Sequence, residues 1–162
     1  LKEVQEIAQS TLDKVRTLSQ ALHPSVLEEI GLEAALRQHL PVFEKQTGIQ
    51  MEYEFSDNGP ALDQTVAIHV YRVLQEALNN VARHSKATRA SVRLRYSAEC
   101  AVLEVEDGGV GFHGAGPGSG MGLVSMRERA DLVHGRLELL SGKGGGALVR
   151  LTVPVALQET HA

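Results

Sequence analysis

The positions Leu1, Val4, Ala8, Thr11, Val15, Leu18 and Leu22 fall at alternating spacings of three and four, with Thr11 the one polar member and charged or polar residues in the gaps. That is the a/d seam of about three heptads. A helix lying on a globular core usually shows a wider apolar face, so the opening segment is predicted to be a bundle or coiled-coil helix, ended by His23-Pro24. Val26 to Phe43 is again helical in pattern, punctuated by Gly31 and Pro41, and ends before Gly48. Ile49, Met51, Tyr53 and Phe55 then alternate with polar residues as a half-buried strand does, and Asp57-Asn58-Gly59-Pro60 is dense in turn formers.

From Asp63 to about Arg83 the apolar residues Val66, Val70, Val73, Leu74, Ala77 and Val81 recur at helical spacing, the strongest helix signal in the chain. Two alternating runs follow, one around Val92, Leu94 and Tyr96, the other from Val102 through Val105 and straight into Asp107. They read as a hairpin. A glycine-rich loop covers Gly108 to Gly122, a helix runs roughly from Leu123 to Val133, and Gly135 is placed at its C-cap. Two last strands, Arg136 to Leu140 and Ala147 to Val155, flank Ser141 to Gly146. The order predicts an α+β fold: a two-layer α/β sandwich with a mixed, mostly antiparallel sheet and helices on one face, preceded by one coiled-coil-like helix.

With 162 residues, 43% of them hydrophobic, the chain can bury one good core and carry a short appendage. The 16 basic and 20 acidic residues are spread along it, with no basic stripe to track a phosphate backbone, so nucleic acid is not expected as a partner. A single cysteine, Cys100, in an expected turn, has no internal disulfide partner, and no Cys/His spacing fits zinc. A reducing, cytoplasmic location is therefore expected. No apolar run approaches the roughly 20 residues that span a bilayer, and no signal segment opens the chain. Because it begins at Leu1 within a helical pattern, the chain is expected to be part of a longer protein whose sensing or anchoring regions lie elsewhere.

Chemistry concentrates where the glycines do. Most of the 16 glycines lie between Gly108 and Gly146. Asp107-Gly108-Gly109-Val110-Gly111 puts a carboxylate at a strand end beside adaptable backbone, where it can accept a hydrogen bond from an exocyclic amine. Gly118-Ser119-Gly120-Met121-Gly122 precedes a helix, whose free N-terminal amides suit phosphate oxygens. Neither a Walker A loop nor a Rossmann fingerprint is present. On the long helix, Glu76, Asn80, Arg83 and His84 fall along one edge beside the apolar stripe. A carboxylate and a carboxamide one turn apart can hold hydrated magnesium, which prefers oxygen ligands and keeps several waters. Each feature alone is also what an ordinary loop or a solvated helix face looks like.

Together they are more specific. HVYRVLQEALNNVARHS, VEDGGVGF, GSGMGLVSMRERA and SGKGGGALVRLTVP occur in this order and at these intervals, so that residues 25 to 156 resemble the ATPase superfamily of gyrase, the large heat-shock chaperones, mismatch-repair clamps and histidine kinases. The resemblance implies ATP and Mg2+ as cofactors. It makes Glu76 the acid of the N box and a candidate base, Asn80 the magnesium ligand, and Arg83 and His84 phosphate contacts. Asp107 would receive the adenine amino group, with Gly109 and Gly111 shaping its pocket. Gly118, Gly120 and Gly122 would belong to the lid and its helix, and Gly144 and Gly146 to the last glycine box. Ala147 stands where many members have threonine, and the short lid from His113 to Gly120 holds no lysine or arginine. Phosphate charge then falls to Arg83, backbone amides, magnesium and Arg127 or Arg129.

LSQALHPSVLEEIGLEAALRQHL and GMGLVSMRERA narrow the resemblance to sensor histidine kinases paired with helix-turn-helix response regulators. In that class the acceptor histidine sits in a RELHD-like phrase on the first helix of a dimerisation hairpin. No such phrase occurs here. Residues 1–24 are thus expected to be the end of the hairpin's second helix, 25–157 the ATP-binding catalytic domain and 158–162 a tail. The implied activity is transfer of the ATP γ-phosphoryl group to a histidine on the missing helix, then to a response-regulator aspartate, in a homodimeric parent; the fragment alone should not label itself. The alternatives are a serine kinase or an ATP-driven dimer clamp of the same superfamily. His23 is expected to be structural, His69 to lie at the surface, and Met121 and Met126 to pack the lid helix on the core.

Overall fold

In the computed structural model, residues 1–22, 25–56, 59–111 and 120–156 are described. Helix α1 (Lys2–Leu22) is followed by α2 (Ser25–Ile30), α3 (Leu32–Thr47), strand β1 (Gln50–Phe55) and helix α4 (Gln64–Asn80). A π-helical turn (Val81–Ser85) ends α4; then come β2 (Arg89–Tyr96), β3 (Cys100–Asp107), α5 (Met121–Leu132), β4 (Arg136–Ser141) and β5 (Ala147–Pro154). The five strands form one sheet in the order β1-β2-β3-β5-β4. Only β1 and β2, joined through α4, run parallel; the other neighbours are antiparallel. None of the described helices is long and apolar enough to cross a membrane.

Strict alternation in β3 decides which chemistry faces which way. Ala101, Leu103, Val105 and Asp107 point into the core, and Val102, Glu104 and Glu106 point to the opposite face. The inward residues of β2, β3 and β5, among them Val92, Leu94, Leu103 and Leu151, meet Val66, Val70, Val73 and Leu74 of α4, Leu36 and Leu40 of α3 and Met126 of α5. Burying each such side chain contributes about 1.5–3 kcal/mol. The helix-free face carries a cross-strand ladder of charge. Arg93 lies opposite Glu104, Glu104 opposite Arg150, and Arg150 opposite Glu138, with ion pairs at 3.6, 2.9 and 3.5 Å.

Several local expectations change. The helical pattern of Val26 to Phe43 is two helices, split at Gly31 with φ 81, and α3 continues through Pro41 because Leu40 and Phe43 on either side are buried. Tyr53 is 40% exposed since β1 is an edge strand; it stacks on Phe55 at 5.5 Å. Cys100 opens β3 and does not sit in the turn. The left-handed residue after α5 is His134 (φ 55), not Gly135. Gly135 is small for another reason: a β-carbon there would lie 2.9 Å from the Thr152 carbonyl oxygen. Met126 is fully buried, as expected, but Met121 is 90% exposed. His69 is half-buried rather than on the open surface. In α1 the seam residues Leu1, Val4, Ala8 and Thr11 are exposed; the side chains of Val15, Leu18 and Leu22, and His23-Pro24 and Asp57-Asn58 entirely, lie outside the described residues.

Candidate functional site

Helix α4 starts at Asp63, whose Oδ1 accepts the Thr65 amide at 2.9 Å, and its apolar stripe fixes its rotation on the sheet. That rotation leaves Glu76 and Asn80, one turn apart and both half-buried, along the edge toward the glycine loops. The π turn then widens the helix by one residue per turn. It carries exposed Arg83 and His84 and ends at buried Ser85. Ser85 Oγ donates to the Val81 carbonyl at 2.6 Å and accepts from the Ala87 amide at 3.0 Å. The Ser85 carbonyl accepts the Val110 amide at 2.9 Å, which ties the helix end to the loop after β3.

Asp107 closes the inward row of β3 and is 6% exposed. Its Oδ1 accepts two amides, from Gly109 at 2.9 Å and Ala147 at 3.3 Å. No hydrogen bond is made by Oδ2 among the described residues, so the carboxylate is held by one oxygen and offers the other. Gly146 must be glycine, because a β-carbon there would overlap the Asp107 carbonyl oxygen. Gly111 has φ 73, and its backbone approaches the Gly145 carbonyl so closely that a β-carbon would sit 2.6 Å away.

Between these elements lies a cavity of about 480 Å³. Its apolar wall is Ala77, Val81, Val105 and Val149, with Asp107, Gly111 and Ala147 at one side. Glu76, Asn80, Arg83 and His84 form the second side, and Gly120, Met121, Gly122 and Leu123 the third. The first turn of α5 packs on Glu76, whose carboxylate a β-carbon at Gly122 would strike. Gly120 caps α5 with no side-chain hydrogen bond, which leaves first-turn amides available to an anion. Such a cavity suits a flat heterocycle with an N–H donor toward Asp107 and an anionic group toward Arg83 and α5. Glu76 and Asn80 supply hard oxygens of the kind magnesium takes alongside water and phosphate; among the described residues no cluster of three or more His, Cys, Asp and Glu forms a full metal cage.

Eight of the expected site residues thus line one cavity: Glu76, Asn80, Arg83, His84, Asp107, Gly111, Gly120 and Gly122. Gly109 and Gly146 stand behind Asp107 and support it. Gly144 is exposed in the turn and is not part of the lining. Arg127 and Arg129 do not reach the lining either; Arg129 instead acts electrostatically on His69 and Arg72 of α4. Gly118 and His113 lie outside the described residues. The sequence reading missed Ser85 and the Ala147 amide, whose roles come from contacts across the fold.

Residues 65–157 match the family described as histidine kinase-, DNA gyrase B-, and HSP90-like ATPase. The chain is 38% identical over 156 residues to the oxygen sensor histidine kinase NreB of Staphylococcus carnosus, covering 95% of this chain and 45% of that protein. It therefore spans about half the length of that relative. Among solved structures, the histidine kinase domain of the Erythrobacter litoralis EL346 blue-light activated histidine kinase has a TM-score of 0.64 at 23% identity, covering 76% of this chain and 61% of that one. The Acinetobacter baumannii histidine kinase AdeS has a TM-score of 0.63 at 19% identity, covering 91% of this chain and 83% of that one. These two likenesses concern the fold. With more than half of its residues matched to the family, the chain belongs to the histidine kinase-, DNA gyrase B- and HSP90-like ATPases.

Proposed function

We propose that this chain is the ATP-binding kinase part of a sensor histidine kinase, passing the γ-phosphoryl group of ATP to a histidine on a partner helix. Membership of an ATPase family implies ATP binding, and the similarity to NreB supports the kinase reading. The observation that carries it is Asp107, buried and pinned through Oδ1 at one side of the cavity, with Oδ2 accepting no hydrogen bond among the described residues. Adenine lies against Val105 and Val149 with its amino group on Asp107, and the phosphates run toward Arg83, His84 and the α5 N-terminus. Asn80, with Glu76 one turn away, would hold magnesium, which would supply neutralisation of phosphate charge. Catalysis is then positioning and charge neutralisation, as phosphoryl transfer requires. Glu76, or an acidic residue beside the acceptor histidine, polarises the acceptor imidazole.

On this reading residues 1–24 belong to a dimerisation hairpin, 25–157 form the catalytic domain and 158–162 a tail. The exposed apolar residues Val4, Ile7 and Leu12 of α1 are the surface a second hairpin helix and a second copy cover, as a four-helix bundle requires. The phosphoryl group passes onward to a response-regulator aspartate. Incubation with radiolabelled ATP tests this. The chain alone should stay unlabelled, and a supplied longer protein with its own Asn80→Ala defect should gain acid-labile label. Label on this chain alone, lost in His23→Gln, would contradict it.

A further inference from the structure

Glu106 lies next to Asp107 but on the other face of β3, outside the cavity. Both of its oxygens are engaged. Oε2 accepts Arg93 Nη2 at 2.7 Å, and Oε1 accepts the backbone amide of Lys143 at 3.1 Å. Lys143 belongs to the Gly142–Gly146 turn joining β4 and β5, which is closed by the Gly142 amide on the Gly146 carbonyl at 2.7 Å. The far end of that turn delivers the Ala147 amide to Asp107 Oδ1, and its Gly145 carbonyl abuts Gly111. Two consecutive carboxylates therefore grip one turn from opposite faces of the sheet. Five residues rich in glycine have little stiffness of their own, so their position rests on these anchors.

We propose that Glu106 is a positioning residue for the base end of the nucleotide: braced by Arg93, it clamps the Gly142–Gly146 turn and so sets the amide that orients Asp107. This rests on the reading of Asp107 as the acceptor for an adenine amino group. It acts through the turn and touches no ligand itself. Its removal loosens recognition of the base and leaves the phosphate end as it was, whereas a general loss of packing weakens both.

The test compares ATP with inosine triphosphate, which carries a carbonyl where adenine has its amino group, and with inorganic tripolyphosphate. Wild-type protein should prefer ATP over inosine triphosphate by about tenfold or more, the worth of one hydrogen bond to a charged group. Glu106→Ala should cut that preference to about threefold or less, with tripolyphosphate affinity within about twofold of wild type. Glu106→Gln keeps an oxygen for the Lys143 amide and should recover most of the preference. Glu138→Gln, on the same ladder but remote from the turn, should change nothing. Amide exchange at Lys143 and Ala147 should accelerate in Glu106→Ala. If that variant unfolds, Arg93→Met, which removes the brace together with the longer ion pair to Glu104, serves in its place and should give a partial loss. Faster exchange at Lys143 with an undiminished preference for ATP overturns the role of Glu106 alone. No preference in wild type overturns the role of Asp107, and this proposal with it.

Discussion

Glu76 and Asn80 are separated by one helical turn, and the use of that spacing depends on which way the helix is rotated. The apolar stripe from Val66 to Ala77 fixes the rotation, so both polar side chains were legible as a pair before the fold was known. Asn80→Ala removes a half-buried carboxamide at the cavity without opening a core void. Magnesium-dependent triphosphate binding should fall by about tenfold or more while the unfolding midpoint stays nearly constant, measured by titration with and without magnesium beside urea unfolding. Melting of the variant with intact binding per folded molecule would make Asn80 structural. Asp107 was legible only in combination with the other motifs, since a carboxylate ending a strand before glycines is by itself also what an ordinary turn shows. Ser85 and Glu106 were not, because their partners, Val110 and Lys143, are 25 and 37 residues away in sequence, and no local pattern encodes such pairings.

Among the elements, the strands announce themselves by their period of two and α4 by its stripe, and these were placed to within about three residues. The errors sit at ends. Gly135 looked like the left-handed cap of α5, yet the chain turns one residue earlier, at His134, and Gly135 donates to the Ala130 carbonyl at 2.8 Å. An exposed histidine in that conformation pays a steric cost that glycine avoids. His134→Gly should therefore stabilise the protein by about 0.5–1 kcal/mol in urea unfolding, unlike most glycine substitutions. A loss of stability would mean that the imidazole has a partner that outweighs the strain. The π turn at Val81–Ser85 was read as plain helix, because nothing in VARHS distinguishes one extra residue per turn. Met121 was assigned to the core by its apolarity, but α5 begins at the cavity edge and its first residue has no layer beneath it.

For the molecule as a whole, the two-layer arrangement follows from strands apolar on one face and helices apolar on one stripe. The charge ladder on the open face was hidden in the sequence, since its register is set by pairing and not by composition. Two half-buried histidines on the helices give stability a pH dependence. Burial lowers the pKa of His39, which meets the Tyr71 ring edge-on at 5.8 Å. His69 is lowered by burial first, then by the Arg129 and Arg72 charges. A depressed histidine pKa means that the unfolded chain binds the proton more readily, so stability rises with pH up to the ordinary value of about 6.5 and is lost below it. Denaturant unfolding at several pH values should show this loss, and the pair His39→Phe with His69→Gln should flatten the profile; an unchanged slope would place its origin elsewhere.

The central claim, that the cavity beside Asp107 receives ATP by its adenine amino group, is tested most directly by calorimetric titration of MgATP into wild type and Asp107→Asn. One saturable site is expected, weakened by about one to two decades in the variant, since a buried hydrogen bond to a charged acceptor is worth about 1.5–3 kcal/mol. Equal affinity in the two proteins, or no saturable binding by the folded wild type, would contradict the account.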